Sequence, residues 1–290
     1  MKKTLTKAPL VLTALHLRYS ELPGLAVIDP KRLDQIHAAM LEEGFPEKII
    51  SEGEVHEAHF DPNTRQFLHK NTKSIRYLFR AAGERNIVQI SPDSIILKST
   101  EYSTFKNFYS LFERVLQACT KVIPNLDKAL LKSVGIRYAD VIVPETHYDL
   151  CDMVTSDILP PRLEAVKGAH LHGTTSTIIK THANQALKLT FEQLPTSDGK
   201  VHKILPNDLG EPDPKCGLQI PGYDNWLSVK SPNYGILDID HTFKFADPHF
   251  KLDNVERATK NLYEHTRDVF WSVTTETAHG LWGIKEIDDV

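Results

Sequence analysis

No apolar run in this chain approaches the roughly 18 to 20 residues that a membrane-spanning helix needs, so the sequence offers no transmembrane segment. Cysteine is scarce. Cys119, Cys151 and Cys216 are odd in number, widely spaced and without a Cys-x-x-Cys pair, which implies neither a disulfide framework nor a zinc knuckle and fits a reducing, cytoplasmic compartment. Excess charge of either sign is lacking too: a net charge of −4 and a pI near 6.4 leave no overall basic field for phosphate backbones, so any nucleic-acid contact needs a local patch. The opening lysines before Val11, Leu12 and Ala14 imitate a signal peptide, but His16, Arg18 and Tyr19 interrupt the run and no small-x-small cleavage site follows. Missing as well are a Gly-x-x-x-x-Gly-Lys phosphate loop, a dinucleotide-binding glycine fingerprint, a Gly-x-Ser-x-Gly elbow and a His-Glu-x-x-His helix. Enzyme classes with readable motifs are therefore disfavoured.

What is present is ordinary globular material, 41% hydrophobic and 25% charged over 290 residues. Residues 9–19 alternate as a strand, with Leu15, Leu17 and Tyr19 on one face and His16 and Arg18 on the other. Asp29-Pro30 supplies an N-cap and a first-turn proline for a short helix that stops at Gly44. Residues 49–60, SIRYLFRA, NIVQIS and SIILKS read as an antiparallel meander punctuated by turn residues. Ser103 or Thr104 then caps a long helix whose apolar stripe runs from Phe105 to Cys119.

The second half repeats this order. Leu131 to Val143 predicts a strand, and residues 147–159 a short helix. Residues 167–181 with 184–194 predict a hairpin, WLSVKS and YGILDIDHTFKF further strands, and Asp253 or Asn254 the start of a closing helix. Leu17-Arg18-Tyr19 matches Ile136-Arg137-Tyr138 in wording and place. The expectation is an α+β chain of two tandem diverged repeats, strand, helix, antiparallel sheet, helix, over residues 1–125 and 126–290. The second carries an irregular, proline- and glycine-rich surface excursion at about 195–224. This element order occurs in TATA-binding-protein-like and helix-grip folds, an analogy of fold that carries no function.

The chain also resembles an uncharacterised, sporadically distributed prokaryotic protein family. The resemblance rests on Ala8-Pro9 before the first strand, Gly44-Phe45-Pro46 after the first helix, Gly135-Ile136-Arg137-Tyr138 at mid-chain and Leu237-Asp238-Ile239-Asp240 before the last helix. Members usually carry Asn where this sequence has Asp140. The resemblance implies no established activity; its patchy distribution suggests mobile anti-phage defence or toxin–antitoxin cargo.

Several residue sets are candidates for chemistry. Arg18 and Arg137, with Tyr19 and Tyr138, hold like positions in the two repeats, so a pseudo-twofold fold brings both guanidiniums to one anion- or partner-binding groove. The plainer alternative is an ion pair with a carboxylate such as Asp140. His170 and His172 flank Leu171 and share a strand face, as metal and proton-transfer sites require, ahead of the hydroxyls of Thr174, Thr175, Ser176 and Thr177. With fourteen histidines, close pairs also arise by chance. Asp238 and Asp240 share one face with His241 opposite, and an Asp-x-Asp pair can hold Mg²⁺, though any exposed strand can carry two acids. His56 and His59 point to opposite sides of a strand, against joint ligation. Trp226, Trp271 and Trp282 are aromatic anchors or core. The leading expectation is a non-enzymatic binding component, without cofactor or membrane attachment, that recognises a protein or nucleic acid in a multi-component system. The alternative is a metal-assisted phosphodiester or nucleotide-processing enzyme using Asp238 and Asp240, with His170 or His172 as proton carrier. A third reading, capture of a small molecule between helix and sheet, requires a large apolar cavity there.

Overall fold

Local sequence signals start and stop most elements where the side chains demand it. The computed structural model describes residues 2–61, 66–161, 165 and 171–287. After β1 (Lys2–Leu5) come β2 (Leu10–Tyr19) and α1 (Pro30–Glu42), whose cap is the Asp29 carboxylate accepting from the Arg32 amide. A meander of β3 (Glu47–Asp61), β4 (Gln66–Arg80), β5 (Asn86–Ser91) and β6 (Ser94–Ser99) leads to α2 (Phe105–Val122), capped by the Thr104 hydroxyl. The chain continues through β7 (Leu131–Ile142), α3 (Leu150–Met153), β8 (Gly173–His182), β9 (Gln185–Pro195) and β10 (Asn233–Lys244). It ends in α4 (Leu252–Val273), α5 (Glu276–Leu281) and β11 (Ile284–Ile287), the last pairing with β1.

The fold is mixed α/β around one nine-stranded antiparallel sheet ordered β3-β4-β5-β6-β2-β7-β10-β9-β8. β2 and β7 pair at its centre, flanked by β6 and β10 respectively, and each flanking strand is followed in sequence by a long helix. Alternation assigns the faces. Leu15, Leu17, Val134 and Ile136 join Phe108, Phe112, Val115 and Leu116 of α2 and Val255 and Leu262 of α4 in a single buried core. At ~1.5 to 3 kcal/mol for each large apolar side chain removed from water, this layer anchors both halves to each other. Among the described residues no helix is long and apolar enough to cross a membrane.

Three segments depart from their sequence-based expectation. Residues 147–159 form only one helical turn, because Val154 is extended, fully buried and bridged to Thr274. WLSVKS is not a strand: its backbone bonds run to the outgoing limb of its own excursion, with Val201 N–H donating to Trp226 O and Val229 N–H to Gly199 O. The excursion itself, residues 196–232, is irregular but more than surface. It crosses the sheet face opposite the helices as a strap, burying Val201 against Tyr234 and Ile236, Leu209 against Leu12 and Ala139, and Cys216 against Leu78 and Ile87.

Candidate functional site

The strapped face carries an aligned row of charge. Successive register pairs place Glu47, Arg80, Ile87, Lys98, Ala14, Arg137, Asp240 and Lys188 side by side across eight strands. Antiparallel pairing puts these residues on one face, as the period of two requires. Arg80 is bidentate to Glu47, at 2.7 and 3.0 Å, and donates to the strap carbonyl of Gly217 at 2.8 Å. Arg76 likewise holds Glu211 of the strap at 2.7 and 3.3 Å.

Arg137 is the centre of the row. Nε and Nη2 donate to Asp238 at 2.7 and 2.8 Å, and Nη1 and Nη2 donate to Asp208 of the strap at 2.7 and 2.9 Å. Burial opposes its charge, but the two carboxylates outweigh that and raise its pKa above the ordinary arginine value. The same bonds hold Asp208 below the usual carboxylate range. Asp240, on the next strand, is pushed upward by burial, an effect that Arg137 only partly offsets.

Lys98 differs from its neighbours. It has no hydrogen-bond or ion-pair partner among the described residues, and burial lowers its pKa. It lines a cavity of about 60 Å³ roofed by Leu205, Leu209, Glu211 and Leu218 of the strap. The alternation in Ser94–Ser99 already marks this position: Ile95 and Leu97 fill the core, and Lys98 shares the other face with apolar Ile96. Asp208 and Glu211 carry no comparable signal, because a strap without periodicity gives no register.

No protein-family model matches the chain, and neither does any curated protein. The assignment of function therefore rests on where the candidate residues stand.

Arg18 and Arg137 do share the strapped face, but Arg18 is opposite Ser133, four positions along β7 from Arg137. At ~3.4 Å per residue this separates them by about 14 Å along the strands. Arg18 is closed by Asp93 at 2.7 Å, so the two guanidiniums do not converge, and Asp140 pairs with neither. Tyr19 and Tyr138 face the helices instead: Tyr19 bonds Ser91 O at 2.9 Å and the Tyr138 hydroxyl lies 3.3 Å from that of Tyr102. Asp238 and Asp240 share one face with His241 on the other, and both Asp238 oxygens accept from Arg137. No group of three or more His, Cys, Asp or Glu among the described residues is arranged to hold a metal. His172 contacts Glu192 at 3.0 Å, a carboxylate also gripped by Lys203, and Ser176 meets Thr190 at 3.2 Å. His170 lies outside the described residues; His56 and His59 fall on β3, where the side chains lie outside them. Trp282 is buried, whereas Trp271 and Trp226 are partly exposed.

One further feature is geometric. β4 pairs with β5 only over Tyr77–Arg80, yet β3 and β4 stay paired from Glu47–Arg80 out to Asp61–Gln66. From Ser51 to Asp61 the hairpin is a two-stranded arm extending ~34 Å past β5, at about 3.4 Å per residue.

Proposed function

We propose that this chain is a non-enzymatic binding component that recognises a protein partner through the β3–β4 arm. The observation that carries this reading is the arm itself: two strands extend beyond the sheet and, among the described residues, no strand pairs with either outer edge, the template that β-augmentation uses. Within it β3 contributes Glu52, Glu54, Glu57 and Asp61, and β4 contributes Lys70, Lys73 and Arg76, with Glu54 opposite Lys73 and Glu57 opposite Lys70. This near-balance favours a protein surface over a phosphate backbone, which rewards cations alone. The remainder of the chain reads as a diverged duplication, supported by the central β2–β7 pair, its like flanking strands and the helix that follows each. The family resemblance suggests that the partner belongs to a mobile defence or toxin–antitoxin gene set. Asp238 is committed to Arg137, which favours this reading over a metal-assisted phosphodiester enzyme.

The test is co-expression with the products of neighbouring genes, comparing the full chain with a variant in which residues 54–73 are replaced by a two-residue turn. A partner that copurifies with the full chain and is lost from a folded arm-less variant supports the proposal. Equal capture by both, or no capture by either, overturns it.

A further inference from the structure

We propose that the cavity between strap and sheet is a binding site for a short-chain monocarboxylate, with the carboxylate on the Lys98 ammonium and the alkyl chain against Leu12, Leu78, Leu209 and Leu218. The inference is independent of the arm. Arg18, Arg76, Arg80 and Arg137 on this face are each closed by a carboxylate of the chain, whereas Lys98 has no such partner among the described residues. Glu211 is the acid lining the cavity with Lys98, and both its oxygens already accept from Arg76. A partly buried ammonium that no anion contacts, Glu211 reaching it only through its field, carries a desolvation cost, which an incoming carboxylate offsets by forming a charge-assisted pair.

The walls set the rest of the ligand. Leu12, Leu78, Ile87, Ile96, Leu205, Leu209, Leu218 and Ile220 make the lining mainly apolar, so the part of the ligand beyond the carboxylate is hydrocarbon. A volume of about 60 Å³ admits a chain of a few carbons and excludes a long acyl chain. Of the polar groups in the lining, Thr100 donates to Gln219 O at 2.6 Å and one Gln89 N–H to Ser91 Oγ at 3.2 Å. The roof is anchored to the sheet by Arg76–Glu211 and by Arg80 to Gly217 O, so entry requires the strap to lift.

Cys216 lines the same cavity and reports on its occupancy. In a Cys151→Ser variant, which removes the exposed thiol and leaves Cys119 fully buried, the rate of Cys216 modification by a disulfide reagent is measured with sodium butyrate and with equal sodium chloride. Butyrate is expected to slow modification several-fold and raise the thermal midpoint, and octanoate to do neither. Lys98→Met, which keeps the unbranched stem and removes the charge, is expected to abolish both effects. Leu218→Trp, which fills the cavity from the strap, is expected to abolish them with Lys98 intact. Unchanged modification rates in the folded protein, or equal protection in Lys98→Met, overturn the proposal. If Lys98→Met does not fold, equal protection in Leu218→Trp does so.

Discussion

Asp140 on β7 and Asp238 on β10 stand one rung apart on paired strands and face opposite sides of the sheet. Each is 3% exposed, yet their surroundings differ. Asp238 receives two N–H bonds from Arg137, whereas Asp140 Oδ2 has no hydrogen-bond partner among the described residues. Burial, reinforced by the charge on Asp238, pushes the Asp140 pKa up to about 8. Asp140 is therefore protonated at neutral pH, offering one donor and one acceptor much as an asparagine amide does.

Asp140 sets the alkaline side of the stability profile. Its folded pKa of about 8 lies above the ordinary 3.8, so between these values the folded state holds a proton that the unfolded state has released. Stability from this group is complete at low pH and is lost as pH rises through 8, at up to ~1.4 kcal/mol per pH unit. Asp140→Asn is expected to remove that slope and to be more stable than the parent at pH 9. Urea midpoints measured across the range decide it, and parallel profiles for parent and variant refute it.

Two histidines set the acid side. His241 is fully buried; its Nδ1–H donates to Leu262 O and its Nε2 accepts from Thr181, and burial drops its pKa to about 4. Desolvation, with the Arg18 charge alongside, also holds the partly buried His16 near 4. Below pH 6.5 the unfolded chain binds two protons that the folded chain refuses, while Asp140 retains one, so the net effect is a loss of stability as pH falls. From these three groups, maximal stability is expected near pH 6.5. His241→Gln leaves one proton refused by His16 against one retained by Asp140, so it is expected to level the acid limb that these groups set in thermal unfolding between pH 4.5 and 6.5; an unaltered limb counts against the assignment.

These titrating groups show what was legible beforehand and what was not. Strand alternation put Arg18 and Arg137 on one face and Asp238 on the same side as Asp240, and the Asp29 and Thr104 caps are where the sequence places them. Alternation could not reveal that Arg137 would spend its donors on Asp208, because Asp208 reaches it across a strap with no periodic pattern. The same holds for Glu211 and Arg76. Val154 is a second kind of failure: its local sequence suits a helix, and a tertiary bridge to Thr274 overrides that preference.

The Arg137–Asp238 pair is testable by a double-mutant cycle. The side chains are 14% and 4% exposed, so removing the arginine strands a carboxylate in the interior. Arg137→Met is expected to cost ~3 to 5 kcal/mol, and Arg137→Met with Asp238→Leu much less, since apolar replacement of both partners avoids the unpaired charge. Arg137→Lys is expected to resemble the methionine variant, because an ammonium cannot serve two carboxylates bidentately. Additive costs in the cycle, read from urea unfolding, contradict the pairing.

Two glycines give opposite expectations. In β10, a Cβ at Gly235 falls 2.3 Å from the ring of Phe191, which is fully buried and stands diagonally on the neighbouring strand. The ring has no solvent to move into, so Gly235→Ala overpacks the core and is expected to cost ~1 to 3 kcal/mol. Gly280 lies near the end of α5, exposed, with nothing within 4 Å of an added Cβ and no positive φ. Gly280→Ala removes unfolded-state freedom without a clash and is expected to stabilise by about 0.5 to 1 kcal/mol. Urea midpoints at constant m-value separate the two, and a neutral Gly235→Ala means that β9 and β10 are not held as tightly as the Phe191 contact requires.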